Sequence, residues 1–274
     1  MKKRGTFHSI YFIYIYNIYL IYKMYKTIPN DNITYGAVPM DTDHELCKNI
    51  VPPLDVITNG SLILINGSSG SGKTSLLVNL ISKTGSKNGY KQSFRKCFHK
   101  IILCSPSTAT LKQNVFKIPE EQKYKDFNEC MEDLEDHLDA SMMEGEQDDE
   151  KKFNLLILDD VASALRQNRY NEINLTKILQ NRRHKNLTCI IISQKWTMIP
   201  TGIRSNANVA FFFRPKTMQE QEAITNELFP IHKRDSIELF NFVFDSRYAH
   251  LMVDMTLKKS NKFRYFKSFQ EIIL

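Results

Sequence analysis

The chain has 274 residues, 42% hydrophobic and 24% charged, with a formal net charge of +7 at pH 7. That length and mix allow one substantial core with a small appendage and exclude a chain disordered throughout. The charge is uneven, because residues 120–152 hold fourteen acidic and four basic residues, leaving 33 basic against 16 acidic elsewhere; such a surplus suits a polyanionic partner such as nucleic acid, or simply keeps a basic surface soluble.

At the amino end, Lys2, Lys3 and Arg4 precede an uncharged stretch from Ser9 to Tyr22 built mostly of Ile, Tyr, Phe, Leu and Asn. The run is too short for an ordinary membrane span and lacks a small-residue cleavage site, so a membrane partner is not expected. Residues 1–50 read as an extension, either disordered or lying before a true start at Met24 or Met40, and residues 51–274 as the folded domain.

Pro52 and Pro53 mark a loop, after which Ser61–Asn66 is an apolar run ended by glycine and serine, the pattern of a buried parallel strand. A helix is predicted from Lys73 to Lys83 and a second strand over Lys100–Cys104, closed by Ser105 and Pro106. Between Glu120 and Asp139, Phe127, Met131, Leu134 and Leu138 recur at spacings of four, three and four, so they share one face of a solvated amphipathic helix; the charged residues that follow, to Lys152, read as a flexible loop and the whole stretch as an acidic insertion.

Leu155–Asp159 is the third predicted strand, Asn171–His184 a helix, Thr188–Ser193 the fourth strand and Val209–Phe213 the fifth. Helices follow near Gln219–Leu228 and Asp235–Phe242, then strand-like runs at Ala249–Asp254 and Phe263–Phe269. Apolar strands alternating with helices predict an α/β fold with a mainly parallel central sheet and helices on both faces. The cysteines Cys47, Cys97, Cys104, Cys130 and Cys189 are odd in number and never paired as C-x-x-C, which argues for a reducing compartment and against structural zinc.

The chemistry concentrates at strand ends. Gly67-Ser68-Ser69-Gly70-Ser71-Gly72-Lys73-Thr74 fits the phosphate-loop pattern G-x-x-x-x-G-K-[ST] at every fixed position and lies between a strand and a helix. Its glycines let successive amides turn inward around phosphates, and the helix that begins there adds its positive end, carrying Ser75 into the same site. Lys73 can reach the β- and γ-phosphates of ATP, and Thr74 supplies a hydroxyl to Mg2+. Asn154–Asp160 carries an acidic pair to the carboxyl edge of the sheet, where Asp159 would hold the metal and Asp160 would orient or deprotonate the attacking water. Gln194, just past the fourth strand, can bond both the γ-phosphate and that water, or merely cap the strand.

Arg182, Arg183 and His184 end a predicted helix, where positive charge could simply offset the dipole; the functional reading is an arginine finger reaching a neighbouring subunit's site, with Arg204 as a competing donor. The basic residues Lys83, Lys87, Lys91, Arg95 and Lys96 could track DNA phosphates or form a solvated loop. Other enzymes and switches share the phosphate loop, so a kinase for another acceptor, or a nucleotide-switched scaffold linked to a membrane through its first 25 residues, stand as alternatives. A guanine-specific enzyme fits less well, because Asn261-Lys262-Phe263-Arg264 lacks the acid of Asn-Lys-x-Asp.

The succession GSSGSGKT, LLILDDV, NRRHKNLT, CIIISQKW and IPTGIRSNANVAFFF resembles the poxvirus-type DNA-packaging ATPases, of the FtsK–HerA-like branch of P-loop motors, over about residues 60–215. The resemblance implies an ATP-driven homo-oligomeric ring that translocates double-stranded DNA into a preformed virion, docked on a capsid or portal-like component at an assembly site in the host cytoplasm. By position it implies Lys73 and Thr74 as phosphate and magnesium residues, Asp159 and Asp160 as the acidic pair, Gln194 as the polar sensor and Arg183 as the arginine of an Arg-His pair. Asp160 stands where the wider superfamily usually has glutamate, one methylene longer.

Overall fold

A computed structural model describes residues 26–28, 60–82, 98–106, 118–148, 151–229, 232–256 and 262–273. The basic stretch from Lys83 to Lys96, the run from Ser9 to Tyr22 and both alternative start sites lie outside the described residues.

The strands are β1 (Lys26–Ile28), β2 (Leu62–Asn66), β3 (Lys100–Cys104), β4 (Lys123–Tyr124), β5 (Asn154–Asp159), β6 (Leu187–Ser193), β7 (Val209–Phe213), β8 (His250–Asp254), β9 (Arg264–Lys267) and β10 (Gln270–Ile273). They form one sheet in the order β1-β10-β9-β8-β7-β2-β6-β5-β3-β4. From β4 to β7 every pairing is parallel. The sheet departs from the expected pattern beyond β7, where β8, β9, β10 and β1 are antiparallel to their neighbours. A two-residue turn joins β9 to β10, and nine residues separate β8 from β9 in sequence, too few for the helical crossover that a parallel neighbour requires. The β1 strand lies within the stretch read as an extension, and that part of it joins the sheet.

Alternation within the buried strands divides the core in two. Ile63, Ile65, Ile157, Ile190, Ile192 and Phe211 face the helix α1 (Lys73–Ser82), which buries Leu76, Leu77, Leu80 and Ile81 against them. On the opposite face, Leu62, Leu64, Leu156, Leu158, Ile191 and Phe212 pack against the remaining helices. These are α2 (Phe127–Asp148), α3 (Ala162–Gln167), α4 (Arg169–Asn181), the single turn α5 (Thr201–Arg204), α6 (Met218–Leu228) and α7 (Lys233–Val243). Strands apolar on both faces are what a covered parallel sheet requires. None of the described helices is long and apolar enough to cross a membrane.

The acidic segment is more ordered than its composition predicts. Asp126 Oδ1 accepts from the Asn128 and Glu129 amides and starts α2. Phe127, Met131, Leu134 and Leu138 are all buried on it, as the spacing predicts. The expected loop after Asp139 is instead a continuation of the helix to Asp148. Side-chain contacts at a distance in sequence explain the difference: Ser141 Oγ donates to Asn154 Oδ1 at 3.3 Å, and Glu144 pairs with His99 at 2.7 Å and with Lys100. Both contacts pin the last turns of α2 to the start of the neighbouring strands.

Helix α4 stops at Asn181, three residues before the predicted end. Arg182 turns inward there, donating to the carbonyls of Gly60, Leu179 and Asn206 and to Asn208 Oδ1. Burial holds its guanidinium below the ordinary arginine range, with the neighbouring Arg183 charge acting in the same direction. A buried cation that satisfies acceptors from three separate segments is costly to remove, since those acceptors are left in a dry site. Arg182→Ala should lower the unfolding free energy by about 3 kcal/mol, whereas Arg183→Ala, which removes an exposed side chain, should change it by less than about 0.5 kcal/mol. Urea unfolding of the two variants measures the contrast.

Candidate nucleotide site

Strand β2 delivers the chain to the carboxyl edge of the sheet, and the loop to α1 is closed by main-chain bonds. Gly67 N donates to Ser193 O at 3.1 Å, Ser71 N to Ser68 O at 3.2 Å, and Leu76 N to Gly72 O at 2.8 Å. Gly67 has no room for a side chain, because a β-carbon there would lie 2.7 Å from both Phe213 Cβ and Ser71 Oγ. Gly72 takes φ +111°, in the region that favours glycine. These two positions account for the spacing of glycines in the motif.

Lys73 Nζ donates back to the loop's own carbonyls, Gly67 O at 2.6 Å and Ser68 O at 2.9 Å. Burial lowers its pKa, the charges of Asp159 and Asp160 oppose that shift, and Lys216 adds to it. A loop lysine and the acidic pair of β5 are therefore close enough to sense each other's charge.

Asp159 ends β5 and is only 8% exposed, with Ser105 Oγ donating to its Oδ2 at 3.3 Å. Asp160 is the next residue and behaves differently. Its φ of +59° is unusual for a residue with a side chain, though aspartate tolerates it. Its amide remains tied to Ile192 O at 3.1 Å while its exposed carboxylate accepts from Gln194 Nε2 at 3.0 Å. The sharp turn separates the two acids, one facing inward along the sheet edge and the other outward to Gln194.

A cavity of about 190 Å³ brings together Ser69, Gly70, Lys73, Thr74, Asp159, Asp160, Ser193 and Gln194. The remaining loop residues flank it: Gly67 and Ser68 line a second cavity of about 220 Å³ with Lys195 and Lys216, and Gly72 and Ser75 line a third of about 350 Å³. Ser71 lines none of the three, and its Oγ is buried without a hydrogen-bond partner. Thr74 and Asp159 put a hydroxyl and a carboxylate on one cavity, the donor chemistry magnesium takes beside phosphate oxygens and water.

The three candidate arginines are not in this cavity. Arg182 is buried in the structural role already described, and Arg204 is held by Glu227 at 3.0 Å and stacked 5.2 Å from the Trp196 ring. Arg183 is exposed and lies against Gly60, which precedes β2. That is the amino-terminal edge of the sheet, separated from Gln194 by the length of β6, about 20 Å at the usual rise per residue. Sequence reasoning missed Ser105 and Lys216 as site residues. The strand-end rule that singled out Asp159 and Gln194 also marks them, because each follows a parallel strand at the same edge.

The fold is similar to that of the DNA-packaging ATPase B204 of Sulfolobus turreted icosahedral virus, at 14% identity over 76% of this chain and 98% of that one, with a TM-score of 0.52. It is similar also to EssC (ATPases 2 and 3) of Geobacillus thermodenitrificans, at 12% identity over 90% of this chain and 48% of that one, with a TM-score of 0.52. The cytoplasmic domain of the type VII secretion ATPase EccC of Thermomonospora curvata matches at 12% identity over 90% of this chain and 30% of that one, with the same TM-score. At these identities the likeness is one of fold. No curated protein matches the chain in sequence. The family described as Poxvirus A32 protein matches residues 57–253, well over half of the chain, and the chain belongs to that family.

Proposed function

We propose that the protein is the ATP-hydrolysing motor of viral genome packaging, acting as a homo-oligomeric ring that moves double-stranded DNA into the virion. The observation that carries this reading is the convergence of the phosphate loop, the acidic pair and Gln194 on one cavity, in a chain of the poxvirus A32 family.

In this reading the loop amides and the amino end of α1 hold the β- and γ-phosphates. Lys73 exchanges the carbonyls of Gly67 and Ser68 for phosphate oxygens, so its ammonium is already at the place where negative charge grows. Thr74 and Asp159 would hold Mg2+, which supplies charge neutralisation at the phosphate oxygens when bound. Ser105 fixes the Asp159 carboxylate from behind. Gln194 Nε2 is bonded to Asp160, which leaves Gln194 Oε1 as an acceptor to align a water. As that water's oxygen bonds to the γ-phosphorus and the bond to the bridging oxygen of ADP breaks, Asp160 takes the proton.

Arg183 cannot assist its own site from the opposite sheet edge, which supports a role in a neighbouring subunit. The charge layout supports a DNA partner: the solvent face of α2 gathers Glu132, Asp133, Glu135, Asp136 and Asp139, so negative charge is concentrated on one helix and the rest of the chain is net basic. Assembly on a capsid or portal component, and residence at a host cytoplasmic assembly site or in the virion, belong to the same proposal.

Three outcomes are expected. Lys73→Ala should reduce phosphate release from ATP by at least about 100-fold, since it removes the charge at the transferring group. Long double-stranded DNA should raise the wild-type rate, with the stimulation shrinking as salt rises; a rate indifferent to DNA at every salt concentration would contradict the motor reading. Arg183→Ala should cost about 1,000-fold or more, and mixing it with the Lys73→Ala protein should restore part of the activity, because a mixed ring contains junctions with both an intact loop and an intact arginine.

A further inference from the structure

Four of the large apolar side chains exposed among the described residues fall into two pairs on two helices. Met142 and Met143, 39% and 64% exposed, sit near the end of α2, and Tyr170 and Ile173, 70% and 44% exposed, near the start of α4. None of the four belongs to the core on either face of the sheet. Grouped apolar side chains of this kind mark contact surfaces, where tyrosine and methionine are enriched.

The two pairs lie at opposite edges of the sheet. Ser141 is bonded to Asn154, the first residue of β5, and Glu144 to His99, just before β3, so the methionines stand at the amino-terminal edge, which also carries Arg183. Asn171 Nδ2 donates at 3.4 Å to Ala164 O, in the first turn of α3 beyond Asp160, so Tyr170 and Ile173 stand at the carboxyl edge with the nucleotide cavity. Both helices bury their inner side chains on the same face of the sheet, α2 through Met131 and Leu134, α4 through Leu175 and Ile178. A second copy can therefore follow the first head to tail, bringing one pair against the other without turning over.

The charges that flank the pairs are opposite in sign. On α4, Arg169 and Lys177 are exposed four residues before and after Ile173, on its face of the helix and about 12 Å apart along the axis. On α2, Asp139 and Glu146 are exposed three or four residues from Met142 and Met143, about 10 Å apart. Asp139 meets Lys185 of its own chain at 3.6 Å and still leaves 59% of its side chain exposed. An apolar centre bracketed by two bases thus has its counterpart in one bracketed by two acids at nearly the same spacing. Either patch set against a copy of itself would oppose like charges, whereas one set against the other matches them.

We propose that the junction of the ring is the Met142 and Met143 patch of one copy seated on the Tyr170 and Ile173 patch of the next. The inference rests on the ring proposed above and names the surfaces that build it. Because Arg183 shares the edge of the methionine patch, the same contact carries it toward the neighbour's nucleotide edge.

Sedimentation of the full chain with Mg2+ and a slowly hydrolysed ATP analogue tests this. Met143→Lys spoils only the methionine patch and Tyr170→Asp only the patch that receives it, and each should weaken self-association at least about tenfold, as expected for losing a central contact side chain. Both positions are exposed, so urea unfolding of the two variants should match wild type. In an equal mixture one junction remains, the methionine patch of the Tyr170→Asp copy on the tyrosine patch of the Met143→Lys copy, and assembly should stop at a dimer. Either variant assembling to the wild-type size, or a mixture that stays monomeric or grows beyond a dimer, overturns this contact and leaves the ring standing. Wild type that stays monomeric with nucleotide and with DNA removes the ring itself, and this inference with it.

Discussion

The Lys73 ammonium is half-buried at the carboxyl edge of the sheet, where burial works against its charge. Two loop carbonyls accept hydrogen bonds from it, and the carboxylates of Asp159, at the end of β5, and Asp160, just past it, favour its charge. A cation in that position needs anionic or carbonyl neighbours on every side, and a phosphate chain can replace the carbonyls without moving the lysine far. The loop geometry, the end of β5 and the placement of Gln194 all serve this one charge. Gly67 is tied to Ser193 at the end of β6, so the strand that carries Gln194 and the loop that carries Lys73 are fixed to each other by a main-chain bond.

Much of this is legible in the sequence, because the motif's chemistry is local. Only glycine fits against Phe213 and Ser71 at position 67 and tolerates the φ of position 72, so the loop announces itself in sequence. The parallel strands β2, β3, β5, β6 and β7 are equally plain, since burial leaves them as apolar runs ending in polar residues, whereas the two-residue strand β4 lies in the stretch read as acidic helix, which begins only at Phe127. What could not be read depends on partners distant in the chain. Nothing in residues 140–148 alone distinguishes a loop from a helix; Asn154, His99 and Lys100 decide it. The antiparallel strands beyond β7 and the β1 pairing with β10 likewise rest on contacts across the chain.

The arginines show the same limit at single-residue scale. Arg182 and Arg183 are adjacent and chemically identical, and only the acceptors gathered around Arg182 separate a structural cation from an exposed one. Gly60 is part of that separation: a β-carbon on it would press within 2.8 Å of the Arg183 side chain, so the turn before β2 and the turn before β6 are fitted together. The consequence for function is directional. One edge of the sheet carries the phosphate loop and its acids, the other an exposed guanidinium, and a single chain cannot join them. Head-to-tail contact between copies brings such edges together and closes into a ring when the rotation allows.

The central claim is that one triphosphate is held at once by the loop, by Lys73 and by the acidic pair. A structure of the protein with Mg2+ and a slowly hydrolysed ATP analogue tests it most directly. The expected result is Lys73 Nζ released from Gly67 O and Ser68 O and bonded to the γ-phosphate, with Asp159 and Thr74 on the metal side and Gln194 and Asp160 facing the γ-phosphorus. A nucleotide bound elsewhere, with Lys73 still bonded to its own loop carbonyls, would contradict the account.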